Sequence, residues 1–241
     1  MDGMLAEVVK RVGRKLGLDV SHYRPFSRRR ASRVHELGIR TVVDVGANAG
    51  QYGRALRAAG YTGAIISLEP QAAAFADLER AASADSFWEC LNVAAGAERA
   101  NARLNVASNT TSSSLLAMTD EHTAGAPTVA AVGHEIVTVR PLDEVVLPVE
   151  LPVMLKLDVQ GYEAKVLAGA EGLLTSTALL ECELSLARLY EGQESFAGMV
   201  SMLDGYGFAL VDLDPFFYDP RDGRVLALDG LFVRRTGMGD N

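Results

Sequence analysis

Short apolar runs recur along the central part of the chain, and each is bounded by small, polar or acidic residues. They lie at residues 41–45, 64–68, 87–94, 153–158 and 178–183. Runs of this length are typical of strands that are buried on both faces of a parallel sheet. Apolar residues at helical spacing occupy other segments, at 52–59, 72–82, 163–169 and 196–203. Strands that alternate with helices predict βαβ units and an α/β fold.

Two further apolar runs, 208–213 and 228–234, lie near the end of the chain, and a turn-rich segment separates them. Two strands joined in this way form an antiparallel hairpin. We therefore expect a Rossmann-like α/β fold. Its seven-stranded, mostly parallel sheet would be closed by the antiparallel C-terminal hairpin and covered by helices on both faces. Weaker alternation predicts two short strands at 103–106 and 134–139.

The N-terminal segment lacks this alternation of strands and helices. Apolar residues at 4–18 line one face of a predicted helix, and a basic cluster at 27–33 begins a second helix that ends at Gly38. The basic residues suit a solvated helix face, anionic lipid or a phosphate-bearing acceptor. We expect a helical extension at 1–39 and a single α/β domain at 40–237.

Composition favours a small partner over a nucleic acid. The chain has 241 residues, of which 49% are hydrophobic, and a formal net charge of −8, which disfavours binding along a phosphate backbone. Cys90 and Cys182 are far apart and suggest neither a disulfide framework nor a zinc site. No apolar run reaches membrane-spanning length, so we expect a cytoplasmic protein without an integral membrane segment. The sequence does not determine the oligomeric state, and a homo-oligomer is one of the possibilities.

The first predicted strand ends in a turn of small residues. Asp44 lies at its carboxyl end and Gly46-Ala47-Asn48-Ala49-Gly50 follows, so backbone N–H groups can face a ligand. The second strand is followed by Glu69, and a carboxylate there accepts hydrogen bonds from ribose hydroxyls. Asn48 stands where a G-x-G-x-x-G motif needs its second glycine, and Asp44 would repel a pyrophosphate. These features favour S-adenosylmethionine over NAD as the cofactor.

Five segments carry a resemblance to a known family: 43–52, 68–70, 141–144, 155–163 and 166–170. In them the chain resembles the FkbM family of S-adenosylmethionine-dependent O-methyltransferases, most specifically in Lys-Leu-Asp-Val-Gln-Gly-Tyr-Glu. The resemblance implies the class I methyltransferase fold. It also implies methyl transfer to a hydroxyl, on a sugar of a glycolipid, a polysaccharide or a secondary metabolite. The candidate cofactor-binding residues are Asp44, Gly46, Ala47, Asn48, Gly50, Gln51, Tyr52, Glu69, Pro70, Asn92 and Val93.

Carboxylates gather at the carboxyl end of the predicted sheet. Asp158 closes the fourth strand, and Glu181 and Glu183 share one face of the fifth. A base assists transfer to a weakly acidic hydroxyl, and the candidate catalytic residues are Asp158, Glu183 and Glu163. Oxygen ligands suit a hard cation, so Asp158, Glu181 and Glu183 also form a candidate magnesium site. Each of these acids also has a structural alternative. Glu163 fits the first turn of a helix, where the helix dipole favours negative charge, and Glu181 and Glu183 fit a solvated strand end.

Several residues suit either a functional or a structural role. The hydroxyl-rich run at 108–114 fits a lid, a wall of the acceptor pocket or a connecting loop. Phe216, Phe217 and Tyr218 fit stacking on a sugar or packing on the core, and His134 fits a proton acceptor or a structural residue. Tyr162 stands where some relatives carry a histidine in this motif, so the sequence does not identify the catalytic base. The alternative functions are an NAD(P)-dependent oxidoreductase and a non-catalytic cofactor-binding protein.

Overall fold

The computed structural model describes residues 11–12, 14–17, 24–146 and 148–235. Most of the helix predicted at 4–18 lies outside these ranges. The strands are β1 (Thr41–Val45), β2 (Ala64–Leu68), β3 (Trp88–Leu91), β4 (Ala94–Ala95), β5 (Ala100–Ala107), β6 (Ala131–Arg140), β7 (Val153–Leu157), β8 (Thr177–Ser185), β9 (Phe208–Tyr218) and β10 (Val225–Arg234). The helices are α1 (Phe26–Glu36), α2 (Gln51–Ala58), α3 (Ala72–Ala82), α4 (Asp120–Gly125), α5 (Leu142–Val145), α6 (Glu163–Ala168), α7 (Glu171–Ser176) and α8 (Phe196–Gly205).

Seven of these strands form one sheet in the order β3-β2-β1-β7-β8-β10-β9. The neighbours from β3 to β8 are parallel, whereas β10 runs antiparallel to both β8 and β9. This confirms the expected α/β fold with its C-terminal antiparallel hairpin. The order reverses between β1 and β7, and in such sheets ligands bind at the carboxyl ends of the strands beside that point.

The core consists of two apolar layers, one on each face of the sheet. Every residue of β1 and β7 is buried, which explains why these strands are continuous apolar runs rather than alternating ones. One layer packs the sheet against α6, α7 and α8, and the other packs it against α1, α2 and α3. The helices therefore cover both faces, as the sequence predicts.

A second, three-stranded sheet has the order β4-β6-β5. It divides the strand that the sequence predicts at 87–94: β3 ends at Leu91, and Ala94–Ala95 pairs with β6 instead. The break has a local cause, because Asn92 Nδ2 donates to the backbone oxygens of Glu69 at 2.8 Å and Pro70 at 3.1 Å. These hydrogen bonds bind the Asn92 side chain to the residues that follow β2, and the backbone pairing of β3 with β2 ends there.

Helix α1 is integrated into the domain. Phe26 and Val34 are buried in the same cluster as Val42 of β1 and Leu56 of α2. Arg29 forms an ion pair with Asp212 of β9, with Nε 2.5 Å from Oδ2. Helix α1, which belongs to the predicted extension, thus shares the core of the sheet.

Within the described residues, none of the helices has the length and apolar character needed to cross a membrane. Cys90 and Cys182 are both free thiols, as expected from their spacing.

Candidate functional site

The turn after β1 brings two strand ends into contact. Gly46 has φ +77, in the left-handed region that favours glycine, and a Cβ at this position would overlap the backbone carbonyl of Asp158. Asn48 also has a left-handed backbone, with φ 48. Its Oδ1 accepts a hydrogen bond from Ala49 N at 2.7 Å. Glycine at position 46 is therefore required by the close approach of the chain that leaves β7.

Glu69 fixes the turn from the side of β2. Its Oε2 accepts a hydrogen bond from Asn48 N at 2.9 Å, and its Oε1 accepts one from Gln71 N at 2.8 Å. Burial raises the pKa of the Glu69 carboxyl to about 7, although both N–H groups favour its charged form. The carboxyl group is therefore held in place before any ligand arrives.

A pocket lies at this edge of the sheet, and we call it the first pocket. Five of the residues predicted to bind the cofactor line it: Gly46, Asn48, Glu69, Pro70 and Val93. The predicted catalytic residue Asp158 lines it too, as do Thr110, Thr111, Ser113 and Ser114 of the hydroxyl-rich run. The other predicted cofactor residues are absent from its wall: Asp44, Ala47, Gly50, Gln51, Tyr52 and Asn92.

Asp44 belongs to a row of alternating charges beside the first pocket. Strand register places Asp44 of β1 next to Lys156 of β7, and Lys156 next to Glu181 of β8. Lys156 Nζ lies 3.1 Å from Asp44 Oδ1 and 3.5 Å from Asp158 Oδ2. It also donates to Gly46 O at 3.1 Å. Burial opposes the charge of Lys156, but the carboxylates of Asp44 and Asp158 raise its pKa.

This row gives Asp44 a structural partner, while its role in cofactor binding stays a prediction. The residue is fully buried, and its carboxylate faces Lys156 rather than the first pocket. Through Lys156 it supports the carbonyl of the Gly46 turn. Sequence reasoning missed Lys156 because a lysine within an apolar run reveals its partners only when the register of the neighbouring strands is known.

Glu181 is held by two helices. Arg30 Nη1 of α1 donates to Glu181 Oε1 at 2.8 Å, and Tyr52 Oη of α2 donates to Oε2 at 2.8 Å. The Arg30 guanidinium lies 4.3 Å from the centroid of the Tyr52 ring, within cation–π range. Burial raises the pKa of Glu181, whereas Arg30 and Tyr52 favour its charged form. Both oxygens have partners, so Glu181 and Tyr52 brace the sheet from within.

These contacts do not fit a magnesium site on Asp158, Glu181 and Glu183. Glu181 is occupied by Arg30 and Tyr52, and the ammonium of Lys156 already lies beside Asp158. Throughout the part of the chain that the structure describes, no group of three or more His, Cys, Asp or Glu side chains is arranged to hold a metal ion. The predicted metal set therefore has no support in the structure.

Asp158 and Glu183 are joined by Gln160. Gln160 Nε2 donates to Asp158 Oδ1 and to Glu183 Oε2, each at 2.7 Å. Burial, together with the charges of Asp158 and Glu163, raises the pKa of Glu183 well above its usual range. The structure thus brings two of the three predicted catalytic acids together, and the pKa of one of them is raised by its surroundings.

The third predicted catalytic acid, Glu163, has a different environment. Its Oε1 accepts hydrogen bonds from Val159 N at 3.1 Å and Gly161 N at 3.2 Å, in the turn that leads into α6. Burial raises the pKa of Glu163 to about 7, although these N–H groups favour the charged form. Glu163 lines neither the first pocket nor the neighbouring one, and its contacts fit the structural alternative.

A second pocket adjoins the first, and Thr111, Asp158 and Gln160 line both. Glu183, His122 and the aromatic residues Phe216 and Phe217 line only the second. Phe216 is 49% exposed, whereas Phe217 packs 6.1 Å from the His122 ring, centroid to centroid. The Asp158–Gln160–Glu183 group therefore stands where the two pockets meet.

Two residues of this region were missed by sequence reasoning. Tyr190 Oη donates to Gln160 Oε1 at 2.7 Å, which fixes the direction of the amide, and lies 3.3 Å from His122 Nε2. His122 is buried, and burial lowers its pKa. Both residues lie in segments without clear periodicity, so no local signal connects them with Gln160. His134, which the sequence singles out, is exposed on β6.

Replacement of Arg30 by Met should lower the free energy of unfolding by about 1.5–3 kcal/mol, because Glu181 would lose a charged hydrogen-bond partner. Urea denaturation measures this difference. Arg33→Met is the matched control, since the Arg33–Glu36 pair is exposed and should contribute less than about 1 kcal/mol. Equal losses in the two variants would contradict the bracing role of Arg30.

The raised pKa values predict that stability falls as pH rises. The carboxyls of Glu69, Glu163 and Asp229 have pKa values raised to about 7, in each case chiefly by burial. Between pH 4.5 and 7 the folded state therefore binds more protons than the unfolded state, and stability is lost as pH rises. His122, whose pKa is lowered by burial, acts in the opposite direction below pH 6.5.

We expect the free energy of unfolding to be larger at pH 6 than at pH 8 by at least about 1 kcal/mol. Urea denaturation at the two pH values measures it, and Glu69→Gln should reduce the difference. Stability that rises across this interval would contradict the assignment of protonated buried acids.

Comparison with known proteins agrees with this geometry. The family model for the FkbM methyltransferase domain matches residues 44–210, more than half of the chain. None of the curated proteins matches this chain in sequence. An rRNA methylase from Streptococcus thermophilus aligns with TM-score 0.50 and 12% identity, over 90% of this chain and 100% of that chain. Magnesium protoporphyrin IX methyltransferase from Synechocystis PCC 6803, solved with bound SAM, aligns with TM-score 0.44 and 12% identity, over 97% and 93% of the two chains.

At such identities a structural likeness shows only the fold, and the S. thermophilus enzyme shares it. The family is shown by the sequence match, which includes the β1 turn, Glu69 and the Asp158–Glu183 pair. The chain therefore belongs to the FkbM family of S-adenosylmethionine-dependent methyltransferases.

Proposed function

We propose that the protein transfers a methyl group to a hydroxyl oxygen, on a sugar of a glycolipid, a polysaccharide or a secondary metabolite. The observation that carries the proposal is the shared wall of the two pockets: Asp158 and Gln160 line both, and Glu183 lines the second. Cofactor in the first pocket and acceptor in the second would meet at these residues. Methyl transfer requires alignment of the two reactants.

The first pocket suits S-adenosylmethionine. Glu69 retains free lone pairs for ribose hydroxyls, since each of its oxygens accepts one backbone N–H bond. Val93, Leu68 and Leu104 give the pocket an apolar side for adenine, and Asp158 supplies negative charge for the cationic amino group. When bound, the cofactor supplies a methyl group activated by positively charged sulfur.

Glu183 and Asp158 are the residues placed to receive the proton of the acceptor hydroxyl. A carboxylate with a raised pKa is a stronger base than an ordinary one, and Glu183 has such a pKa because of burial and the charges of Asp158 and Glu163. Gln160 Nε2 donates to both carboxyl groups and holds them side by side. The acceptor oxygen would gain the methyl group as its proton passes to the deprotonated form of this pair.

The experiment that tests O-methylation uses S-adenosylmethionine labelled with ¹³C in its methyl group. The protein is incubated with the labelled cofactor and a panel of glycosides that carry hydroxyls, amines or both. Carbon–proton correlation NMR distinguishes an O-methyl from an N-methyl product. The proposal predicts new O-methyl signals only. N-methyl signals alone would contradict it.

Replacement of Glu69 by Ala should weaken S-adenosylmethionine binding by roughly tenfold to a hundredfold, because a charged hydrogen-bond acceptor for the ribose is lost. The change also frees the N–H groups of Asn48 and Gln71. Isothermal titration calorimetry measures the affinity, with Glu79→Ala, on the exposed face of α3, as the control. Unchanged affinity in Glu69→Ala would contradict the placement of the ribose.

A further inference from the structure

The acidic residues in the described wall of the second pocket have no basic residue beside them in that wall, and the Lys156 ammonium, 3.5 Å from Asp158, lies outside it. Asp158 and Glu183 line it, and among the described residues of its wall none is Lys or Arg. His122 is the wall's other titratable group, and burial lowers its pKa, which favours its neutral form. The pocket wall therefore offers an acceptor carboxyl and amide groups for hydrogen bonding, and its described residues include no basic side chain to pair with an anionic group.

Two arginines of a neighbouring turn are engaged elsewhere. Arg221 and Arg224, in the turn between β9 and β10, pair with Asp219, and both also pair with Glu121 of α4. Arg221 Nη2 lies 2.5 Å from Asp219 Oδ2 and 3.1 Å from Glu121 Oε1. These ion pairs fasten the turn to the helix that carries His122. They do not supply a phosphate or carboxylate site in the pocket wall.

The second pocket also has apolar residues in its wall. Phe217 is packed against His122 and Gly125 of α4, and so is part of the fixed wall. Phe216 is half exposed at the rim, where its ring is free to meet a ligand. A wall that combines carboxyl and amide groups with an aromatic ring matches a sugar ring, which has hydroxyls at its edge and C–H groups on its face.

We propose that the second pocket selects an uncharged sugar ring as the acceptor, with the ring against Phe216 and a hydroxyl at the Asp158–Glu183 pair, and that it rejects rings bearing a carboxylate or a phosphate. This inference rests on the proposed function and narrows its substrate class. Rejection follows from like charge at short range in a partly buried site, which weakens binding by about tenfold or more.

The test is saturation-transfer NMR on the full chain saturated with S-adenosylhomocysteine. The neutral probes are the methyl glycosides of glucose, galactose and mannose. The anionic probes are methyl glucuronide and the 6-phosphate of methyl glucoside. We expect at least one neutral probe to bind, and each anionic probe to bind at least about tenfold more weakly than its neutral parent. Phe216→Ala should weaken binding of the neutral probe by about threefold to tenfold.

Phe87→Ala is the matched control, because Phe87 is 65% exposed and lines neither of the two pockets. It should leave sugar binding unchanged. Anionic probes that bind as well as their neutral parents would overturn the inference, and so would equal effects of the two Phe variants. Binding of S-adenosylhomocysteine without a response from any sugar would overturn the inference alone. Failure of S-adenosylhomocysteine to bind would overturn the proposed function, and this inference with it.

Discussion

Replacement of Asp44 by Ala should lower the free energy of unfolding by about 3–5 kcal/mol, because it removes one partner from a buried ion pair. Asp44 is fully buried, and the side chain of Lys156 is 8% exposed, so water cannot replace the lost carboxylate. Lys156 would keep only Asp158, at 3.5 Å, as a charged partner within ion-pair distance. The loss is comparable to the whole stability of a marginal domain. Urea denaturation measures it.

A double-mutant cycle separates the ion pair from other effects of the substitution. Lys156→Met alone leaves the Asp44 carboxylate buried without its cation, whereas Asp44→Ala with Lys156→Met removes both charges. The double variant should be more stable than the sum of the single losses predicts, by about 1–3 kcal/mol. Additive losses would show that Asp44 and Lys156 do not stabilise each other.

Replacement of Glu183 by Gln should reduce the rate of methyl transfer by about 10²–10⁴-fold, the usual contribution of a general base. The amide is similar in shape but cannot receive the proton of the acceptor hydroxyl. Affinity for S-adenosylmethionine should change little, because Glu183 lines the second pocket and not the first. Single-turnover kinetics with a productive acceptor, together with calorimetry, measure the two quantities separately.

Glu163→Gln is the matched control for this variant. The sequence names both acids as catalytic, but Glu163 accepts two backbone hydrogen bonds through one oxygen, and Gln can do the same. Its rate should stay within about threefold of the unchanged protein, since no proton acceptor is lost. A loss as large as that of Glu183→Gln would move the catalytic role back to Glu163.

The sequence predicts the main sheet well because its strands are fully buried. The runs at β1 and β7 can only be strands with apolar neighbours on both faces, and the turn residues fix where they end. The sequence is less informative where a single side chain decides the path. The Asn92 side chain donates a hydrogen bond to the backbone oxygen of Glu69 where β3 ends early. The pattern of apolar and polar residues does not predict this hydrogen bond.

The candidate site is predictable only in part, for a similar reason. Gly46, Glu69 and Asp158 stand at strand ends, where the topology of the sheet gathers them, and all three line the first pocket. The partners that set their charges come from distant segments. Arg30 reaches Glu181 across 151 positions, and Tyr190 reaches Gln160 across 30. Strand register and helix packing decide such pairs, and a single sequence specifies neither directly.

The most direct test of the account is calorimetric titration of the purified protein with S-adenosylmethionine, S-adenosylhomocysteine and NADH, each with and without magnesium. We expect S-adenosylmethionine and S-adenosylhomocysteine to bind and NADH to give no response. We also expect magnesium to leave the affinities for the first two unchanged, because Lys156 already places a cation beside Asp44 and Asp158. Binding of NADH with no response to S-adenosylmethionine would contradict the account at its centre.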